Sequence, residues 1–180
     1  YARARNLHAA AKHIAYELNG IFPATYDGIR ALKGVGDYTA AAIASFAYDL
    51  RYAVVDGNVY RVLSRYFGIE TPIDTTEGKR LFAALAKQLM DTGDFSPSTY
   101  NQAIMDFGAT HCTPVAPRCL NCPLRERCAA FLEKKTGQLP VKSKKLERRQ
   151  RFFNYLVIDR LNVVFVKKRN EKDIWQNLYD

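Results

Sequence analysis

Through residues 1–110 apolar positions recur at helical spacing, and the polar or glycine breaks between them mark where helices start and stop. Leu7, Ala11, Ile14 and Leu18 line one face of a first helix, which Asn19-Gly20 should end. A short second helix is expected over 26–31, after which the run Leu-Lys-Gly-Val-Gly breaks the pattern. A third helix is expected from about Tyr38 to Ala47. The fourth starts at Asp56-Gly57 and carries Val59, Val62, Leu63, Tyr66 and Phe67 as one apolar stripe. The fifth spans 76–90 with Leu81, Leu85 and Leu89 in register. Ser96-Pro97 opens the sixth, an N-cap followed by proline at the first helical position, and it runs towards Gly108.

The pattern then changes. Residues 111–131 hold all four cysteines, and 132–150 are strongly basic with Pro and Gly, as a linker is. Residues 151–180 are rich in β-branched and aromatic side chains around a polar break, which predicts a β-hairpin opening a second domain. The fold expected is mainly α, with a hairpin of helices at about 26–47. There is no internal repeat.

Charge narrows the partners. The 180 residues carry 27 Lys and Arg against 18 Asp and Glu, a formal net charge of +9. That excess suits a polyanion, nucleic acid first among them, and equally suits a basic soluble domain with no such partner. No apolar run is long enough to span a bilayer. The arginine-bearing start could pass for a targeting segment, but its spacing reads better as an amphipathic helix. The chain has no initiator methionine and stops soon after Trp175, so both ends read as cut.

Three stretches carry chemistry. In residues 32–43, Gly34 and Gly36 allow a tight turn with bare N–H groups, and the next helix aims its positive end at the same point. Such a nest fits a phosphate, although an ordinary helix–helix turn has the same look. Asp56 stands where an apolar run gives way to a helix. It can be a plain N-cap, or a carboxylate that steadies the sugar cation formed when an N-glycosidic bond breaks. Cys112, Cys119, Cys122 and Cys128 are spaced C-x6-C-x2-C-x5-C. Their clustering argues for a metal site in a reducing compartment, with [4Fe–4S] favoured and structural zinc the alternative. Arg118, Arg125 and Arg127 could present cations to a DNA phosphate, or simply be solvated.

These three stretches, in this order, resemble the helix-hairpin-helix DNA glycosylases related to endonuclease III. Within that superfamily the segments YARARNLH and NQAIMDFGA, with the C-terminal hairpin, resemble the adenine-removing branch. The resemblance implies that Lys33, Gly34, Val35 and Gly36 grip the DNA backbone, Asp56 is the catalytic aspartate and Asn58 assists it. It implies that the four cysteines hold a [4Fe–4S] cluster, and that the substrate is duplex DNA with adenine opposite 8-oxoguanine or guanine. Bifunctional members carry a lysine two residues after the second hairpin glycine, as a Schiff base requires. Here that residue is Tyr38, which implies a monofunctional enzyme and leaves Tyr38 to hydrogen-bond near Asp56 or to pack under the hairpin.

Where the family usually has a proline before the first hairpin glycine, this chain has Lys33. The family's glutamate that protonates the departing adenine has no counterpart here, so the 180 residues alone are expected to be inactive. Residues 152–180 resemble the start of a Nudix-like α/β domain. A monomer in the cytoplasm, at the nucleoid in a bacterium, is the expected setting. Two rivals remain: an endonuclease III-like pyrimidine glycosylase/lyase, and a non-catalytic DNA-binding module with a structural metal loop.

Overall fold

The computed structural model describes residues 2–143, 150–173 and 175–179. Its helices are α1 (Ala2–Tyr16), α2 (Tyr26–Ala31), α3 (Asp37–Tyr48), α4 (Gly57–Phe67), α5 (Thr76–Thr92), α6 (Pro97–Thr110) and α7 (Ala129–Leu132). Two single 3₁₀ turns, Cys119–Asn121 and Arg125–Arg127, lie between α6 and α7. Helix starts follow local side-chain chemistry. Thr25, Thr75 and Ser96 each accept a hydrogen bond from the backbone N–H three residues on, filling a donor the helix cannot. Gly68, in the left-handed region, ends α4.

Two apolar clusters hold the helices. Val59 and Leu63 of α4 meet Phe82 and Ala86 of α5, with Ile104 and Met105 of α6 packed alongside. Ile29 of α2 meets Ala40 and Ala44 of α3, where small side chains let the two helices approach closely. Asn101 of α6 ties the clusters together. Its side chain accepts from Val54 N (3.0 Å) and donates to Ser45 Oγ (2.7 Å) and Tyr52 O (2.9 Å). The extended segment 52–55, which leads into α4, is thereby fixed between α3 and α6.

Two helices are rotated from their expected faces. On α1 the buried residue is Ala10, with Asn6, His13 and Ile14 half-buried, whereas Leu7 is 71% exposed. On α5 the inward residues are Gly78, Phe82, Ala86 and Met90, one step around from the leucine stripe. Close packing selects these faces. Asn6 of α1 lies so near the hairpin turn that a Cβ on Gly34 would stand 2.5 Å from its own Cβ.

Part of the stretch expected to be a linker is docked. Leu139 is buried, Ile73 N donates to Val141 O (3.0 Å), and Ser143 N donates to Asp74 Oδ1 (2.8 Å). The rest of that stretch, 144–149, lies outside the described residues. The expected hairpin further on is short. β1 (Asp159–Arg160) pairs antiparallel with β2 (Val163–Val164) across Leu161-Asn162, both with positive φ as a tight two-residue turn needs. Arg151 pairs with Asp173, and Phe153 meets Trp175 edge-on. Most large apolar side chains of this segment stay exposed, and its described residues do not build a Nudix-like α/β domain.

Asn101→Ala should cost about 2–4 kcal/mol of unfolding free energy, because it strands the Val54 N–H and the Tyr52 carbonyl. Urea denaturation reads this directly; an unchanged midpoint would mean water serves those groups equally well. Gly34→Ala should cost about 1–2 kcal/mol through its positive φ, with the collision against Asn6 added. Adding Asn6→Gly should recover the collision part alone, and full recovery in the same assay would disprove the backbone contribution.

Candidate functional site

The hairpin between α2 and α3 closes on a β-turn, with Val35 N donating to Leu32 O (3.1 Å) and Gly34 at φ +82°. A type II turn requires that left-handed residue at its third position, which explains the glycine. Arg30 braces the turn from α2 by donating to Val35 O (3.1 Å) and pairing with the Asp37 carboxylate. Gly36 is the N-cap of α3 and offers no side chain, so the first N–H groups of that helix have no capping partner. Those donors, with the positive end of α3 and exposed Lys33, form a cationic corner suited to an oxyanion. Asp37 would oppose an anion there, but Arg30 offsets it.

Beside the hairpin lies a cleft lined by Asp37 and Tyr38 of α3, Tyr52 and Val55 of the extended segment, Tyr60 of α4, and Lys79 and Lys87 of α5. Tyr26 of α2 stacks flat on Tyr52 (centroids 4.3 Å apart), joining the hairpin to the segment that carries Asp56. Tyr38 is 49% exposed in this cleft and makes no hydrogen bond to Asp56.

Asp56 begins α4 directly after Val55; Val55 and Tyr60 line the cleft, and Asp56 is not among its lining residues. It is an N-cap, accepting at Oδ1 from Val59 N (2.8 Å). Its other oxygen, Oδ2, accepts from Asn58 Nδ2 (2.9 Å). Asn58 is oriented in turn by Arg61, whose Nη2 donates to Asn58 Oδ1 (2.8 Å). The same guanidinium donates to Gly108 O (2.6 Å) and Cys112 O (2.7 Å). Burial holds the proton affinity of Arg61 below its ordinary value, with Arg65 adding to the effect and Cys112 and Asp56 partly opposing it; the group remains a cation. Gly108 lets α6 reach this point, since a Cβ there would stand 2.7 Å from Asn58 Cβ. Sequence reasoning did not single out Arg61 and Arg65, which lie between the apolar positions of α4.

Cys112, Cys119, Cys122 and Cys128 line one cavity with Val62, Arg65, Phe107, His111 and Arg118. None is in a disulfide. Burial, followed by the proximity of Cys112, Cys128 and Cys122, pushes the Cys119 thiol above its ordinary value. Among the described residues no three His, Cys, Asp or Glu side chains are grouped as a single metal ion requires. Arg65, 3% exposed, reaches Cys112 Sγ (3.4 Å) and also donates to Thr113 O (2.8 Å), Pro114 O (3.2 Å) and Leu139 O (3.0 Å). Arg118 is exposed at the rim, and Arg125 turns inward to donate to Leu120 O (2.8 Å).

Comparison with known proteins agrees with this geometry. Residues 17–46 match the helix-hairpin-helix motif model. An adenine DNA glycosylase of Buchnera aphidicola (subsp. Acyrthosiphon pisum, strain APS) is 36% identical over 182 residues, spanning 99% of this chain and 51% of that protein. The structure of a thermostable thymine-DNA glycosylase superposes with a TM-score of 0.65 at 30% identity, covering 73% of this chain and 59% of that one. Endonuclease III, in a non-covalent complex with DNA, gives 0.62 at 27% identity, over 74% and 59%. The chain spans about half the length of the curated relatives it matches. It is a homologue of the adenine DNA glycosylases, within the helix-hairpin-helix superfamily that includes endonuclease III.

Proposed function

We propose that the protein is a monofunctional DNA N-glycosylase of base-excision repair that removes adenine mispaired with 8-oxoguanine or guanine. The observation that supports this reading is Asp56, oriented at both oxygens by Val59 and Asn58 and directly following Val55, which lines the cleft beside the hairpin. In this reading the turn at Lys33, Gly34, Val35 and Gly36 holds a backbone phosphate, and Arg118 adds a second contact. The adenine leaves the base stack at a cost of about a few kcal/mol. Its glycosidic bond breaks with the bonding pair going to the base, which takes up a proton, and water adds at the sugar carbon. The Asp56 carboxylate stabilises the cationic sugar between those two events, and preorganisation by Asn58 and Arg61 spares it any reorientation.

The four cysteines line one cavity, and their spacing, with a single C-x2-C pair, suits a [4Fe–4S] cluster better than a zinc ion. When bound, the cluster would hold the 112–128 loop together. Residues 151–180 we assign to the opening of a second domain, Nudix-like by resemblance.

An endonuclease III-like glycosylase/lyase is the rival that the structural likeness favours. Tyr38 argues against it, because a phenol cannot form an imine with the sugar. Borohydride added during reaction of the intact protein with mismatched DNA should therefore trap no covalent adduct, and a trapped adduct would favour the lyase.

Asp56→Asn in the intact protein should lower adenine excision by at least about 10²-fold. The cap should survive, since Asn caps a helix as well as Asp does, so the cost in stability should be limited to the lost Asn58 contact, about 1 kcal/mol. Excision that survives this change would reduce Asp56 to a cap and leave a DNA-binding module. Cluster content is checked by colour: the protein should be brown with broad visible absorption, and a colourless, zinc-loaded preparation would exclude iron–sulfur.

A further inference from the structure

We propose that His111 donates a hydrogen bond from Nε2 to a sulfur of the iron–sulfur cluster, and so is a positioning and potential-setting residue for it. The inference rests on the cluster reading above and adds a group that the cysteine spacing does not announce. His111 lies at the end of α6, where its own N–H and that of Cys112 both donate to Phe107 O (2.9 and 2.8 Å). Its ring stacks on Phe107 with centroids 5.2 Å apart and planes 14° from parallel. The stack fixes the plane in which the ring nitrogens can act. Nε2 is buried and has no hydrogen-bond partner.

A buried polar nitrogen left alone is costly, and native interiors rarely keep one. His111 lines the cavity shared by the four cysteines, and no other group there reaches its Nε2. Val62, Leu124 and Phe131 are apolar, and Arg65 and Arg118 are donors. Tyr66 and Thr136 bring hydroxyls to the lining but neither reaches Nε2, which leaves the four sulfurs as the acceptors for it. A cluster held by Cys112, Cys119, Cys122 and Cys128 would add sulfur acceptors to the cavity that His111 lines, and so would meet the need of Nε2. An N–H···S bond stabilises the form with more negative charge, so it raises the reduction potential.

The test uses the intact protein with its cluster brought to a paramagnetic state and its histidines labelled with ¹⁵N. The chain has three histidines, and the other two, His8 and His13, sit on α1. Pulsed electron paramagnetic resonance should then show a histidine ¹⁵N coupling and an exchangeable proton lost in D₂O. Voltammetry should show a lower potential for His111→Phe, which keeps the stack but lacks the donor, with recovery towards the original value in His111→Gln. A cluster with no ¹⁵N coupling, or with one potential across all three proteins, overturns the proposal. A protein with no cluster at all overturns the cluster reading and this inference with it. Should His111→Phe fail to hold its cluster, the coupling in the unaltered protein decides alone.

Discussion

A single buried guanidinium organises the candidate site. Arg61 is 7% exposed, and its N–H groups reach oxygens of Asn58, Gly108 and Cys112, with a longer contact to Gly57 (3.4 Å). Removing a cation from water is expensive, and burial is tolerated only where every donor meets an acceptor. Here the acceptors come from the start of α4, the end of α6 and the first cysteine. The requirement to satisfy Arg61 therefore fixes how those three parts meet. Asp56 inherits its orientation from that arrangement through Asn58.

Arg65 repeats the device one turn further along α4, this time against the cysteine loop and the chain beyond it. The two arginines make α4 a rigid spine with the carboxylate at one end and the thiols beside the other. Its apolar face meanwhile packs on α5 and α6. A helix that must satisfy two buried cations and one apolar core has little freedom to rotate or slide.

How far the sequence announced this depends on the signal. Capping residues with glycine or proline punctuation located α2 through α6 well, because those signals act locally and tertiary packing does not overrule them. Helix faces were harder. On α5 two adjacent stripes are comparably apolar, and Phe82 against Val59 and Leu63 decides between them; on α1 the less apolar face turns inward, where Asn6 meets Gly34. The glycine turn, Asp56, Asn58 and the cysteines could be named from their motifs, whereas their supports could not. Arg61, Arg65 and Asn101 look like ordinary polar positions until the fold buries them, and so does His111 until its Nε2 is enclosed. The packed path of 133–143 was hidden for the converse reason, since composition suggested a linker while Leu139 and the backbone were docking.

The grip of Arg65 on both sides of the cysteine loop has a consequence for polymer statistics. Thr113 and Pro114 lie at the loop's entrance and Leu139 beyond its exit, and one side chain binds all three carbonyls. The chain between them is thus tethered at its base by the protein fold itself. Much of the entropy of closing that circuit is lost on folding. The four sulfurs therefore begin at high effective concentration, and an incoming inorganic group has less chain left to order.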